Sequence, residues 1–252
     1  MQTGPIAIFP ASGGIGGGTY RHLINLVDAK NVTLVARSPA KIPNQYTEAG
    51  AIARHGDYDK LETLDHAFDG AKYLNLISYA SIEHEHRFRG LYTESYGLYL
   101  AFLDLKNPPA ELKMPHDGKG PGISWVKRDE LGEGTAHLLA NYAQDPTSFP
   151  FVNDTLLLSG PQAVSLEDSV EIIGHVTGKE INIRQTSVEE WASQDSVKGA
   201  SEYLAGDMAK RWATAYDALR RGEGAVVTKH LRELMGREPE TFEKTIAGLK
   251  EA

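Results

Sequence analysis

The stretch Ile6-Ala7-Ile8-Phe9-Pro10-Ala11-Ser12-Gly13-Gly14-Ile15-Gly16-Gly17-Gly18 limits what this chain can fold into more than any other. A short apolar run, with Pro5 just before it, reads as a buried strand and leads directly into a glycine-dense bend. Thr19 to Val27 then carries Leu23, Ile24, Leu26 and Val27 at helical spacing, which predicts an amphipathic helix. Strand, bend and helix N-terminus in that order suit an anionic phosphate. The first-turn N–H groups of the helix point outward, and glycine lets a ligand approach the backbone. The expectation is a nucleotide cofactor site, with Ala11, Ser12, Gly13, Gly14, Ile15 and Gly16 around the phosphates.

The next elements keep the same rhythm. Asn31 to Ala36 is β-branched and apolar and reads as a second strand, Gly50 to Arg54 as a third and Tyr73 to Ser78 as a fourth. Leu61 to Phe68 reads as a helix between the last two. Strands alternating with helices at this spacing predict parallel βαβ units, hence a doubly wound α/β sheet. Beyond Ser78 the rhythm fails. Leu98 to Leu105 fits a buried helix or a strand equally, and Met114 to Gly122 reads as a loop. Ile123 to Val126 and Thr155 to Gly160 read as strands, Asp129 to Tyr142 as a helix. Ser165-Leu166-Glu167-Asp168 opens a capped helix that Gly178 stops; Ile181 to Ile183 is a brief strand, and Ser187 opens another helix. From Glu202 onward the chain is helical in character. The expected division is a dinucleotide-binding domain over 1–160 and a smaller, mostly helical lobe over 161–252 for a substrate or partner.

Strand two ends in Arg37, 24 positions after Gly13, near the distance at which this kind of fold reads a ribose 2′ position. An acid there would bond a 2′-hydroxyl. An arginine, with Lys41 close behind, suits a 2′-phosphate because the guanidinium fork matches phosphate geometry. NADP(H) is therefore expected over NAD(H). Asp57, at the end of strand three, stands where it can touch an adenine amino group or cap the following helix. Pro10 occupies the place of the first fingerprint glycine, so the turn must differ in detail.

The bulk numbers exclude several alternatives. A net charge of −8 over 252 residues opposes general nucleic-acid binding, which needs a basic footprint. The absence of cysteine removes disulfides, thiol nucleophiles and thiolate-held zinc. No apolar run approaches the ~20 residues of a membrane span, and the first strand begins too early for a signal peptide. The cytosol is the expected compartment, with the nucleus as the other. His84 and His86 with Glu83 and Glu85 lack an identifiable third ligand, so a solvated helix face is expected there rather than a metal. His116-Asp117-Gly118-Lys119-Gly120 resembles a phosphate loop only superficially, since GK[ST] is absent. No G-x-S-x-G elbow is present. Trp191, Trp212 and Tyr216 are expected in the core of the C-terminal part.

Pro10 to Gly16 resembles the G-x-x-G-x-x-G turn of extended and atypical short-chain dehydrogenases. The likeness is to the NmrA-like family, with relatives among NAD(P)H:quinone oxidoreductases. Supporting stretches are Ile77-Ser78-Tyr79-Ala80, Gly90 to Ser95, Trp125-Val126-Lys127-Arg128-Asp129-Glu130-Leu131-Gly132, Leu158 to Pro161 and Gly236 to Pro239. The resemblance implies a Rossmann-type sheet, cofactor contacts from Ser78 and Tyr79, and Tyr92 on a substrate cleft or in packing. It also implies a gap. The family places two further strands and their helices between the segment after strand four and Gly90-Leu91-Tyr92, and His86 to Arg89 leaves no length for them at ~30 residues per βαβ unit. The sheet is therefore expected to be incomplete, truncated between about Arg87 and Gly90, with strand four exposed unless Thr155 to Ser159 or a second copy covers it.

Short-chain reductases commonly use Tyr-x-x-x-Lys, and none of the 11 tyrosines here has lysine four residues later. No catalytic residue is assigned. The resemblance implies a dinucleotide-sensing or regulatory binding module, with a protein partner or homodimer open to it. The alternative is an NADPH-dependent oxidoreductase acting on a quinone or small carbonyl.

Overall fold

The computed structural model describes residues 4–78, 91–199 and 208–251. In chain order the elements are β1 (Ile6–Phe9), α1 (Gly14–Leu23), β2 (Val32–Ala36), α2 (Asn44–Glu48), β3 (Ile52–His55) and β4 (Tyr73–Leu76). These are followed by α3 (Tyr96–Tyr99), β5 (Glu111–Met114), α4 (Arg128–Gln144), α5 (Leu166–Thr177) and β6 (Asn182–Gln185). The last six are α6 (Val188–Ser193), α7 (Asp195–Lys198), α8 (Met208–Trp212), α9 (Thr214–Arg220), α10 (His230–Met235) and α11 (Phe242–Glu251). They gather into two compact units, one within 1–81, 128–158 and 230–237, the other within 82–127, 159–229 and 238–252.

The first unit is a parallel sheet in the order β3-β2-β1-β4. Parallel strands need both faces covered, and β1 and β2 are buried along their whole length. Ile6, Ile8, Val32 and Leu34 pack with Tyr20 and Leu23 of α1 and with Ala136 and Ala143 of α4. On the other face Phe9 and Val35 meet Tyr58, Leu64, Ala67 and Phe68. The sheet is thus the doubly wound α/β type expected, and it is short. Among the described residues β4 pairs with β1 alone, leaving Leu74 45% and Leu76 60% exposed. The truncation point near Arg87 lies outside the described residues.

Helix α1 begins at Gly14, five residues before the predicted start, and takes in Gly16, Gly17 and Gly18. Glycine is a poor helix former, costing about 1 kcal/mol per residue against alanine. Packing explains its use here. A Cβ on Gly132 would stand 2.5–2.7 Å from the backbone of Gly18 and Thr19, so α1 and α4 touch main chain to main chain. Charged ties flank that contact. Asp129 accepts from Arg21 at 2.7 Å and pairs with His22 at 3.1 Å, while Arg237, beside α10, holds buried Glu130 at 2.5 Å and also Glu133.

The second unit holds a two-stranded parallel ladder, β5 with β6. Its core joins Trp125, Trp191, Tyr216, Phe242 and Ile246, with Trp212 packed against it, as expected of the C-terminal aromatics. Ser165 accepts from the Asp168 N–H at 2.9 Å to cap α5, and Gly178 ends that helix at φ 72. Ser187 caps α6 in the same way.

Several predicted elements are corrected. Thr155 to Gly160 is not a strand: it joins no ladder, Leu157 is half exposed, and Ser159 is instead tied by the Thr228 N–H at 2.8 Å. It therefore cannot serve as a neighbour for β4. Among the described residues Ile123 to Val126 makes only isolated bridges, to Val164 and Tyr92. The helix at Leu61 to Phe68 shrinks to one 3-10 turn, Leu61–Thr63. Arg54 bonds the carbonyls of His66, Ala67 and Asp69, and Leu61 lies 74% exposed, so only Leu64, Ala67 and Phe68 serve the core. Leu98 to Leu105 is neither a long helix nor a strand, because Ala101 and Phe102 turn left-handed at φ 49 and 59 after α3. β5 falls where no strand was expected.

His116 is 2% exposed in the second unit. Its Nδ1 accepts from the Gly118 N–H at 2.9 Å, which puts the ring proton on Nε2. Burial lowers its pKa, Arg220 lowers it further, and Asp117 and Asp217 pull the other way.

Two measurements follow from this packing. Gly132→Ala is expected to lower unfolding stability by about 1–3 kcal/mol in urea titration, although propensity alone favours alanine; a stabilised variant would refute the close contact. For His116, a folded-state pKa below the unfolded value of about 6.5 means that the unfolded chain takes up its proton first. The neutral ring therefore contributes nothing pH-dependent above that value, and stability falls with acidification below it, by at most about 1.4 kcal/mol per pH unit. His116→Gln should remove this component, read as a shallower loss of urea midpoint between about pH 7 and about pH 5.

Candidate functional site

The site begins where β1 ends. The Ala11 N–H donates to the Val35 carbonyl at 2.7 Å, pinning the bend to β2. Gly13 at φ 76 and Gly14 at φ 44 then turn left-handed, a conformation open to glycine at little steric cost. A Cβ on Gly16 would lie 2.0 Å from the Pro10 carbonyl oxygen, so the helix start is pressed against the strand end.

The bond from the Gly17 N–H to the Gly13 carbonyl, at 2.9 Å, opens the ladder of α1. The N–H groups of Gly14, Ile15 and Gly16 precede that ladder. Gly13 as N-cap offers no side chain, and the first turn carries no acid. Gly13 and Gly14 are exposed, Ser12 and Ile15 partly so, and Ala11 is buried beneath them. An anion on these N–H groups would meet the positive end of the helix dipole.

The parallel register places the other candidates at the same edge. Phe9 pairs with Leu76 and Ala36 with His55, so all four strands end together. Arg37 follows β2 directly and is exposed, as is Lys41 at the end of the Pro39–Lys41 turn. Asp57 follows β3 and is buried; its Oδ1 accepts from the Asp59 N–H at 3.1 Å, and its own N–H donates to Thr63 Oγ1 at 2.9 Å. This is a turn-holding role close to the capping alternative. Ser78 lies exposed beyond β4, where the Ile77 N–H donates to the Phe9 carbonyl at 2.8 Å and the Tyr58 hydroxyl to the Ile77 carbonyl at 2.6 Å. The crevice outside the carboxyl ends of parallel strands is where open α/β sheets bind ligands.

Tyr79, and the His84 and His86 pair, lie outside the described residues. Among the described residues no group of three or more His, Asp or Glu side chains is placed to hold a metal. Tyr92 belongs to the second unit, where it bridges to Val126 and accepts from the Ser95 N–H at 2.9 Å. His116 to Gly120 is no phosphate loop, since the Gly118 and Lys119 N–H groups are turned onto His116 and Asp117.

Arg128 also stands beside the glycine turn, although the residue pattern did not single it out. Its Cδ stands 3.9 Å from where a Cβ on Gly14 would be. The signal lay within Trp125 to Gly132, but its meaning depends on a contact between residues far apart in the chain. The same holds for Asp129. Burial pushes its carboxyl up, yet hydrogen bonds from Arg21 and His22 outweigh this and hold it below the ordinary carboxylate range.

No family model matches the chain. An NmrA-like family domain-containing oxidoreductase of Aspergillus flavus is 25% identical over 153 residues, 60% of this chain and 44% of that protein. The matched stretch thus spans less than half of that relative. The NADPH-dependent quinone oxidoreductase of Escherichia coli, solved with NADPH, superposes with a TM-score of 0.76 at 18% identity, covering 97% of this chain and 99% of that one. The triphenylmethane reductase of Citrobacter sp., solved with NADP(H), gives 0.72 at 20% identity over 97% and 99%. Among the described residues no helix is long and apolar enough to cross a membrane. The chain thus has the fold of these two NADPH-binding reductases, and over part of its length it is similar to a protein named as NmrA-like, in keeping with the likeness read from the glycine turn.

Proposed function

We propose that the first unit binds NADP(H) and that the chain acts as a dinucleotide-sensing or regulatory module. The observation that carries this is the start of α1: an uncapped, acid-free helix N-terminus pressed against the end of β1 by Gly16. The diphosphate would sit on the N–H groups of Gly14, Ile15 and Gly16, backed by Ala11, Ser12 and Gly13. Arg37, with Lys41 near it, would take the 2′-phosphate through charge-assisted hydrogen bonds. Asp57 and Ser78 border the same crevice on the neighbouring strands. Support for NADP(H) also comes from the solved neighbours, which were crystallised with NADPH or NADP(H). The sensing role rests on the sequence, which lacks Tyr-x-x-x-Lys. A protein partner or a homodimer would be the receiver of such a signal.

A second reading has its own support. The relatives are named as oxidoreductases and reductases, which favours an NADPH-dependent enzyme of the atypical short-chain class acting on a quinone or small carbonyl. The cofactor would supply the hydride when bound. The chain's residues would hold the dinucleotide against the sheet edge.

Calorimetric titration of the whole chain tests the shared premise, with tighter binding of NADPH than of NADH expected. Arg37→Asp should weaken NADPH by about tenfold to a hundredfold and leave NADH nearly unchanged. Equal affinities before and after would remove Arg37 from the site. To separate the two roles, NADPH oxidation is followed against a panel of quinones and small carbonyls. Tight binding without turnover on any of them is the outcome expected of a sensor, and steady turnover would favour the enzyme.

A further inference from the structure

Helices α1 and α4 lie side by side and run in the same direction. Gly14 faces Arg128 and Gly18 faces Gly132, the same sequence offset at both points. The paired residues Gly14 and Arg128 are also the first residues of their helices. Two helix N-termini therefore open at one place, each contributing roughly half a positive charge. Arg128 stands there with its Cδ 3.9 Å from the Cβ position of Gly14, which brings a guanidinium stem against the wall of the glycine turn.

The two acids that follow Arg128 in α4 each have a cationic partner. Asp129 is held by Arg21 and His22, and Glu130 by Arg237.

We propose that Arg128 is a second cationic contact for a dinucleotide, gripping the diphosphate at the glycine turn while Arg37 reads the 2′-phosphate. This rests on the dinucleotide reading above and adds a residue to it. A planar guanidinium suits the task, since it bonds two phosphate oxygens at once. Arg128 would serve both NADPH and NADH, because both carry the diphosphate. Arg37 would discriminate between them.

The test measures NADPH and NADH by calorimetry, with adenosine 2′-monophosphate as a competitor that carries the 2′-phosphate but no diphosphate. Arg128→Met should weaken both dinucleotides by the same factor, about tenfold, and leave the competitor's affinity unchanged. Unchanged dinucleotide affinity, or an equal loss for the competitor, would overturn the proposal, the latter because it marks a structural rather than a diphosphate contact. If Arg128→Met does not fold, Arg128→Lys carries the test. It keeps the charge but loses the fork, so a smaller and equal loss for both dinucleotides is expected, and wild-type affinity for both would overturn the proposal. Failure of the wild-type chain to bind either dinucleotide would instead sink the dinucleotide reading itself.

Discussion

The main-chain contact between α1 and α4 is the constraint on which the first unit depends. Gly132 leaves no room for even a methyl group against Gly18 and Thr19. That closeness lets α1 carry Gly14, Gly16, Gly17 and Gly18 and still be a helix, because tertiary packing offsets what the glycines lose in propensity. It also fixes where α1 starts. Gly16 abuts the Pro10 carbonyl, so the first-turn N–H groups are presented at the end of β1 rather than further along the chain. The phosphate-binding character of the turn follows from how tightly its helix is packed.

Charged groups reinforce the contact unequally. The Arg21 and Asp129 pair is nearly half exposed on both sides, and such pairs are worth about 0.2–1 kcal/mol. Glu130 is different, since its side chain is 3% exposed and is paired with Arg237. Removing that arginine would take an ion-pair partner from a buried carboxylate, a larger penalty than losing a surface pair. The consecutive acids at the start of α4 thus tie it to two different helical segments of one unit, with Gly132 on the following turn.

The relation between the residues and the site is uneven for a physical reason. Arg37 and Asp57 are legible as candidates from their places at the ends of strands, and Ser78 from the family resemblance, while parallel strands in register bring all three positions to one edge. Arg128 was not found, because its place beside Gly14 comes from a helix crossing between distant parts of the chain. Thr155 to Ser159 shows the opposite error. Its run of three leucines fits a short buried strand, but strand formation needs a partner edge, and Ser159 is held by the Thr228 N–H instead.

The sequence by itself determined the four parallel strands, the glycine bend, the capped helices at Ser165 and Ser187 and the aromatic core of the second unit. These follow from local pattern: apolar runs, turn glycines, side-chain caps and helical periodicity. Only the tertiary structure decided that α1 begins at Gly14, that Leu61 to Phe68 is mostly turn, and that β5 and β6 pair. It also decided that β4 ends the sheet among the described residues and that Arg128 meets the glycine turn. Each of these depends on which surfaces meet, and close backbone approach and strand pairing are properties of residues distant in sequence.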